Sequence, residues 1–163
     1  MSEENTTDRA DLVAILQDLL TCVPLRQGLE LQVETQETFY RLAARIAGAE
    51  CPVSLPSAEA FSIERNFFST FFLAVTRQIA GDDRFMPLYA MVNQGMRAWV
   101  TACDNLLDDE YKEIFDFAIP QRGLRVRSVL TLLLADRVVT EFIADTYGDS
   151  DIIKAAGQLS LQA

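Results

Sequence analysis

The sequence predicts an all-α protein, an antiparallel helical bundle, and three observations carry that expectation. Only seven glycines and five prolines occur in 163 residues, and they punctuate the chain into five or six helix-length pieces. Half of the residues are hydrophobic, enough for one domain with a sizeable core. No segment alternates apolar and polar residues with the two-residue period of a half-buried strand. Residues 1–163 therefore read as a single helical domain without internal repeats, low-complexity tracts or an interdomain linker.

The elements follow in order. Thr6, Thr7 and Asp8 supply an N-cap region for a first helix whose Leu12, Val13, Leu16, Leu19 and Leu20 share one stripe. Pro24 interrupts, and a second helix is expected from Leu25 to Ala47 with Gly48 as its C-cap. Cys51–Pro56 contains two prolines and reads as a loop. Ser57 is expected to cap a third helix that carries Phe61, Phe67, Phe68, Phe71, Phe72 and Val75 and stops at Gly81. So many aromatics around one cylinder imply burial on more than one side. Pro87 suits the first turn of a fourth helix, Pro87 to Leu107. A short amphipathic piece, Glu110 to Phe117, precedes the break at Pro120 and Gly123. The last helix is expected from Leu124 to Tyr147, with Gly148 as its stop. Its Val126–Val139 stretch is apolar nearly all round, which places it inside a bundle, packed against the fourth helix.

Composition excludes several function classes. The net charge of −10 argues against a nucleic-acid partner, because binding a phosphate backbone needs clustered Lys and Arg. It leaves room for a small phosphorylated ligand, since a metal ion can supply positive charge. Histidine is absent, which removes His-dependent triads, His–metal sites and imidazole acid–base chemistry together. Cys22, Cys51 and Cys103 lack CxxC spacing and are expected to be buried small hydrophobes in a reducing compartment. Met1–Thr7 is acidic and polar, unlike a signal peptide, and no apolar run approaches the roughly 18 residues of a membrane span. The expectation is a soluble, cytoplasmic protein.

The candidate chemistry lies in Asp104-Asn105-Leu106-Leu107-Asp108-Asp109-Glu110. A four-residue step puts Asp104 and Asp108 on one side of the fourth helix, about 6 Å apart along its axis. Two carboxylates that close repel, and a divalent cation removes the repulsion. Oxygen ligands suit Mg²⁺, which typically shares one or two carboxylates with substrate phosphates. Asp109 falls about 100° further round the helix. Lys112, Arg122, Arg125 and Arg127 follow closely, and Arg122 beside Gly123 is the favoured phosphate contact, because glycine lets backbone and phosphate approach. Arg137, next to Asp136 in an apolar stretch, reads as part of an internal ion pair or of helix-to-helix hydrogen bonds. The competing reading makes the whole cluster a solvated helix end running into a turn.

Met91–Glu110, MVNQGMRAWVTACDNLLDDE, resembles the helix that carries the first aspartate-rich motif, DDxxD, of the trans-isoprenyl diphosphate synthases and related class I terpenoid enzymes. Gln121-Arg122-Gly123 followed by the long Val126–Val139 segment with Asp136 fits in order, and the Phe-rich helix with Arg65 and Arg77 fits more loosely. The similarity spans Ser57 to Tyr147 and implies the N-terminal half of the isoprenoid synthase fold. It implies Mg²⁺ held by Asp104, Asp108 and Asp109, an allylic diphosphate contacted by Arg122 and Lys112, and a dry pocket lined by Phe68, Phe72 and Trp99. The implied chemistry is metal-assisted departure of the diphosphate, leading to prenyl transfer or cyclisation.

Three departures limit what the resemblance carries. Asn105 stands at the motif's second aspartate, Ile63-Glu64-Arg65-Asn66 replaces the family's Gly-Gly-Lys-Arg, and there is no second aspartate-rich motif, Asp149-Ser150-Asp151 being too short. The expectation is an N-terminal portion of a larger isoprenoid-synthase-like domain, truncated or completed by another chain, with an apolar flank that favours a homo-oligomer. A non-catalytic helical interaction domain derived from that fold is the alternative, and an unrelated helical bundle is a third reading.

Overall fold

In the computed structural model, residues 14–15, 18–81, 83–108, 111–118 and 123–148 are described. Among them the protein is all-α apart from one minimal ladder. Helix α1 (Val23–Ala47) leads to β1 (Val53–Ser54), a 3₁₀ turn at Ala58–Phe61 and helix α2 (Ile63–Ala80). A second 3₁₀ turn, Asp83–Phe85, runs into helix α3 (Met86–Leu107), followed by β2 (Asp116–Phe117) and helix α4 (Leu124–Tyr147). The glycine stops hold: Gly48, Gly81 and Gly148 all have positive φ, the left-handed turn that ends a helix without a Cβ penalty. The expected first helix lies largely outside the described residues. Among the described residues no helix is long and apolar enough to cross a membrane.

The described residues form two compact units, and α1 and α3 contribute to both. In the first, residues up to Gln36 and from Pro56 to Ala90, α1 and α2 run antiparallel. Gln36 Nε2 donates to Asn66 Oδ1 (2.9 Å) at one end, while at the other a Cβ on Gly28 would lie 2.6 Å from the Thr70 carbonyl oxygen and 3.2 Å from the Ala74 Cβ. The seam is therefore narrow and filled by small and polar groups: Gln32, Thr35 and Gln36 on α1, Asn66, Thr70 and Ala74 on α2. Asn66 is held further by donating to the carbonyls of Ala60 (2.8 Å) and Ser62 (2.9 Å). Leu73, Met86 and Ala90 form an apolar cluster with Leu31 against it.

This seam overturns the expectation for the Phe-rich helix. Phe rings do not fit where two backbones approach at a glycine, so α2 turns Phe68, Phe71, Phe72, Val75 and Ile79 outward, Phe68 with 85% of its surface exposed. Nor does Ser57 cap α2: it precedes the 3₁₀ turn without a side-chain cap hydrogen bond, and α2 starts after Ser62.

The second unit contains residues 37–55 and those from Met91 onward. Its core is aromatic: Phe39 stacks on Phe115 (5.4 Å between centroids), Tyr40 meets Phe115 edge-on (5.7 Å), and Phe117 closes the group (5.8 Å). Val53 pairs with Phe117 and Ser54 with Asp116 in an antiparallel ladder too short to leave an alternating pattern in the sequence. Helix α3 packs on α4 at Gly95, where a Cβ would come 2.5 Å from Val139 Cγ2. Small residues line the inward faces, Ala98 and Ala102 on α3, Ser128, Thr131 and Ala135 on α4.

Other expectations need correction here. Leu124, Val126, Val129 and Leu133 stand exposed, so α4 is not surrounded. Arg137 makes a surface pair with Glu141 (3.2 Å), one helical turn on, rather than an internal one. Cys22 and Cys103 are exposed and Cys51 is half-buried.

Candidate functional site

Helix α3 sets the site. From Val92 onward every fourth residue, Val92, Met96, Val100, Asp104 and Asp108, is exposed, three apolar and then two acidic. Each four-residue step turns about 40° round the helix, so Asp104 borders the exposed apolar face formed with Cys103 and Leu107. Leu107 exposes 85% of its surface beside the carboxylates. The amide of Asp108 donates to the Asp104 carbonyl (2.8 Å), so the helical turn continues through the pair and both side chains leave from one turn.

The electrostatics are unfavourable without a ligand. Both aspartates sit at the negative end of the α3 macrodipole, and the last turn of α3 has no basic residue. Among the described residues neither carboxylate is in an ion pair. Nor do three or more acidic or cysteine side chains among them converge to hold a metal ion. Tyr111, three residues beyond Asp108, has its phenol pushed above the ordinary range by burial and by the Glu113 carboxylate, so it is neutral near pH 7 and no base.

Residues 111–115 are held in place although they are not helical. Asn105 Nδ2 donates to the Lys112 carbonyl and the Lys112 amide donates to Asn105 Oδ1, both at 2.8 Å. Glu113 pairs with Arg127 (3.6 Å), and Phe115 enters the aromatic core. Of the residues singled out in the sequence, Asp104, Asp108 and Lys112 are thus on or tied to the C-terminal end of α3. Asp109 and Arg122 lie outside the described residues. Phe68 and Phe72 belong to the other unit and are exposed, and Trp99 is half-buried. The Asn105–Lys112 pairing left no mark in the sequence, because a seven-residue Asn-to-backbone contact has no periodic signature.

Clefts among the described residues lie elsewhere. One of about 240 Å³ is largely apolar, lined by Ile46, Phe117, Leu130 and Leu134 together with Cys51 and Arg137. The other, about 260 Å³, is lined by Glu30, Glu34 and the Arg77–Asp83 ion pair. Neither includes the α3 aspartates. Compared with known proteins, the chain matches no family model, no curated protein and no solved structure.

Proposed function

We propose that the C-terminal end of α3 is the cation and head-group half of a site for an allylic diphosphate, in the manner of the class I isoprenoid synthases that its sequence resembles. The observation that carries this is the order along α3: apolar Val92, Met96 and Val100, then Asp104 and Asp108, all exposed. An amphiphile with a hydrocarbon tail and a charged head has that same order. The two carboxylates suit Mg²⁺, which completes its shell with water and phosphate oxygens rather than an all-protein cage. Asp104 and Asp108 would hold the ion, and Lys112 would meet the anion. The bound metal supplies neutralisation of the departing diphosphate.

The test separates head from tail. In the presence of Mg²⁺, an allylic diphosphate should bind more tightly than inorganic pyrophosphate, because only the former covers apolar surface. Met96→Ser with Val100→Ser should erase that difference and leave pyrophosphate binding unchanged. Equal affinity of the wild type for both ligands would remove the tail from the account.

A second reading, a helical interaction module, is favoured by the α2 stripe. Phe68, Phe71, Phe72, Val75 and Ile79 recur with helix–helix spacing, and all five are apolar. With a large side chain covering about 150–250 Å², the stripe exposes on the order of 550 Å² per copy. Self-pairing then buries about 1,100 Å² in total, just above the roughly 1,000 Å² of a specific interface. The partner in this reading is a second copy, and antiparallel pairing sets Phe68 against Ile79 and Phe72 against Val75. Sedimentation should show a dimer that Phe68→Glu or Ile79→Lys dissociates and the double variant partly restores. A wild type that stays monomeric at high concentration would end this reading.

A further inference from the structure

The residue at the second position of the aspartate-rich pattern has a different task here. Asn105 makes two hydrogen bonds to one peptide unit, giving from Nδ2 to the Lys112 carbonyl and taking from the Lys112 amide at Oδ1. That ring needs one donor and one acceptor on the same planar group. A carboxamide has both, whereas an ionised carboxylate is acceptor-only and would face the Lys112 carbonyl oxygen with like charge. The residue type is therefore matched to the backbone of residue 112 and not to a metal ion.

The surroundings give the contact a purpose. Residues 111–115 have no helix or strand of their own, yet three contacts fix their course: Asn105 on Lys112, Arg127 on Glu113, and Phe39 with Tyr40 on Phe115. Lys112 is the basic residue in that stretch, and its backbone is tied one residue along the helix from Asp104. We propose that Asn105 is a positioning residue that clasps the Lys112 backbone and so fixes Lys112 at the carboxylate end of the helix, where it meets a diphosphate-type anion shared with a divalent cation. The ligand part of this inference rests on the reading of Asp104 and Asp108 given above; the clasp itself does not.

The experiment follows both parts in the full chain, with Asn105→Ala, Asn105→Asp, Lys112→Ala and the Asn105→Ala/Lys112→Ala double variant. Amide hydrogen exchange reads the clasp: the Lys112 amide should be protected in the wild type and exchange at least tenfold faster in Asn105→Ala. Titration of inorganic pyrophosphate with Mg²⁺ present reads the ligand. Asn105→Ala and Lys112→Ala should each weaken binding severalfold, and the double variant should bind no more weakly than the worse single one, since Asn105 acts through Lys112. Asn105→Asp, although it adds a carboxylate beside two others, should weaken binding as well. Tighter binding by Asn105→Asp would make position 105 a metal ligand and overturn the proposal. Unchanged exchange at Lys112 in Asn105→Ala would overturn the clasp. A wild type with a protected Lys112 amide and no response to Mg²⁺–pyrophosphate would overturn the diphosphate reading, and with it the ligand role, while the clasp stood.

Discussion

Replacing Asp104 or Asp108 by Asn should make the ligand-free protein more stable. Asp104 is in the last turn of the 22-residue helix α3, and Asp108 follows at its end. A carboxylate at a helix C-terminus opposes the macrodipole at a cost of about 0.3–1 kcal/mol at low ionic strength. The i, i+4 repulsion between the two adds about 0.2–0.5 kcal/mol. Asn has nearly the same shape and helix propensity as Asp, so the substitution removes charge and little else. Each single change should therefore stabilise by about 0.5–1.5 kcal/mol, which for a chain of this size raises Tm by about 1–5 °C. Both aspartates are solvent-facing, so high salt should shrink the gain. Thermal unfolding followed by circular dichroism, without divalent ions and at low and high salt, reads the effect. A variant that melts at or below the wild-type temperature at low salt would refute the electrostatic account and make the pair an ordinary solvated helix end.

Two further predictions concern the frame that holds the site. Gly28→Ala should destabilise by about 1 kcal/mol in urea unfolding, because about 1 kcal/mol of gained helix propensity is outweighed by overpacking of about 1–3 kcal/mol against the Thr70 backbone, 2.6 Å from the new Cβ. Gly123→Ala, whose Cβ would meet nothing within 4 Å, is the control and should cost less, its one penalty being the poorer alanine N-cap of α4. Tyr40 has its phenol raised above the ordinary 10.0 by burial, with Arg97 opposing. The folded state then holds the proton more tightly than the unfolded one. Its contribution to stability is complete below pH 10 and is lost as pH rises through the higher folded value. Tyr40→Phe should flatten that alkaline decline, measured by urea unfolding on either side of pH 10.

Much of the frame was legible in the residues. Gly48, Gly81 and Gly148 end helices where the sequence placed the ends, and Pro87 stands in the first turn of α3. These signals are local: a left-handed stop or a missing amide acts on its own turn. What the sequence misassigned depends on partners. The Phe-rich face reads as core until Gly28 is seen to bring two backbones together and exclude the rings. Arg137 reads as internal until Glu141 is found one turn away at the surface. The ladder Val53–Ser54 with Asp116–Phe117 joins segments more than sixty residues apart and is only two pairs long, below any periodic signal. At the end of α3, the shared turn of Asp104 and Asp108 was legible from helical spacing alone, whereas the Asn105 hydrogen bonds to the Lys112 backbone were not.

The most direct test of the central claim is coupled titration calorimetry of Mg²⁺ and inorganic pyrophosphate on the full chain. If Asp104 and Asp108 hold a metal–diphosphate head, each ligand should tighten the other, since the cation relieves the carboxylate repulsion and the anion completes its shell. Asp104→Ala and Asp108→Ala should each abolish that coupling. Asp116→Ala, an exposed aspartate in β2, should leave it intact. Titrations that show no coupling in the wild type, or the same coupling in all four proteins, would contradict the account.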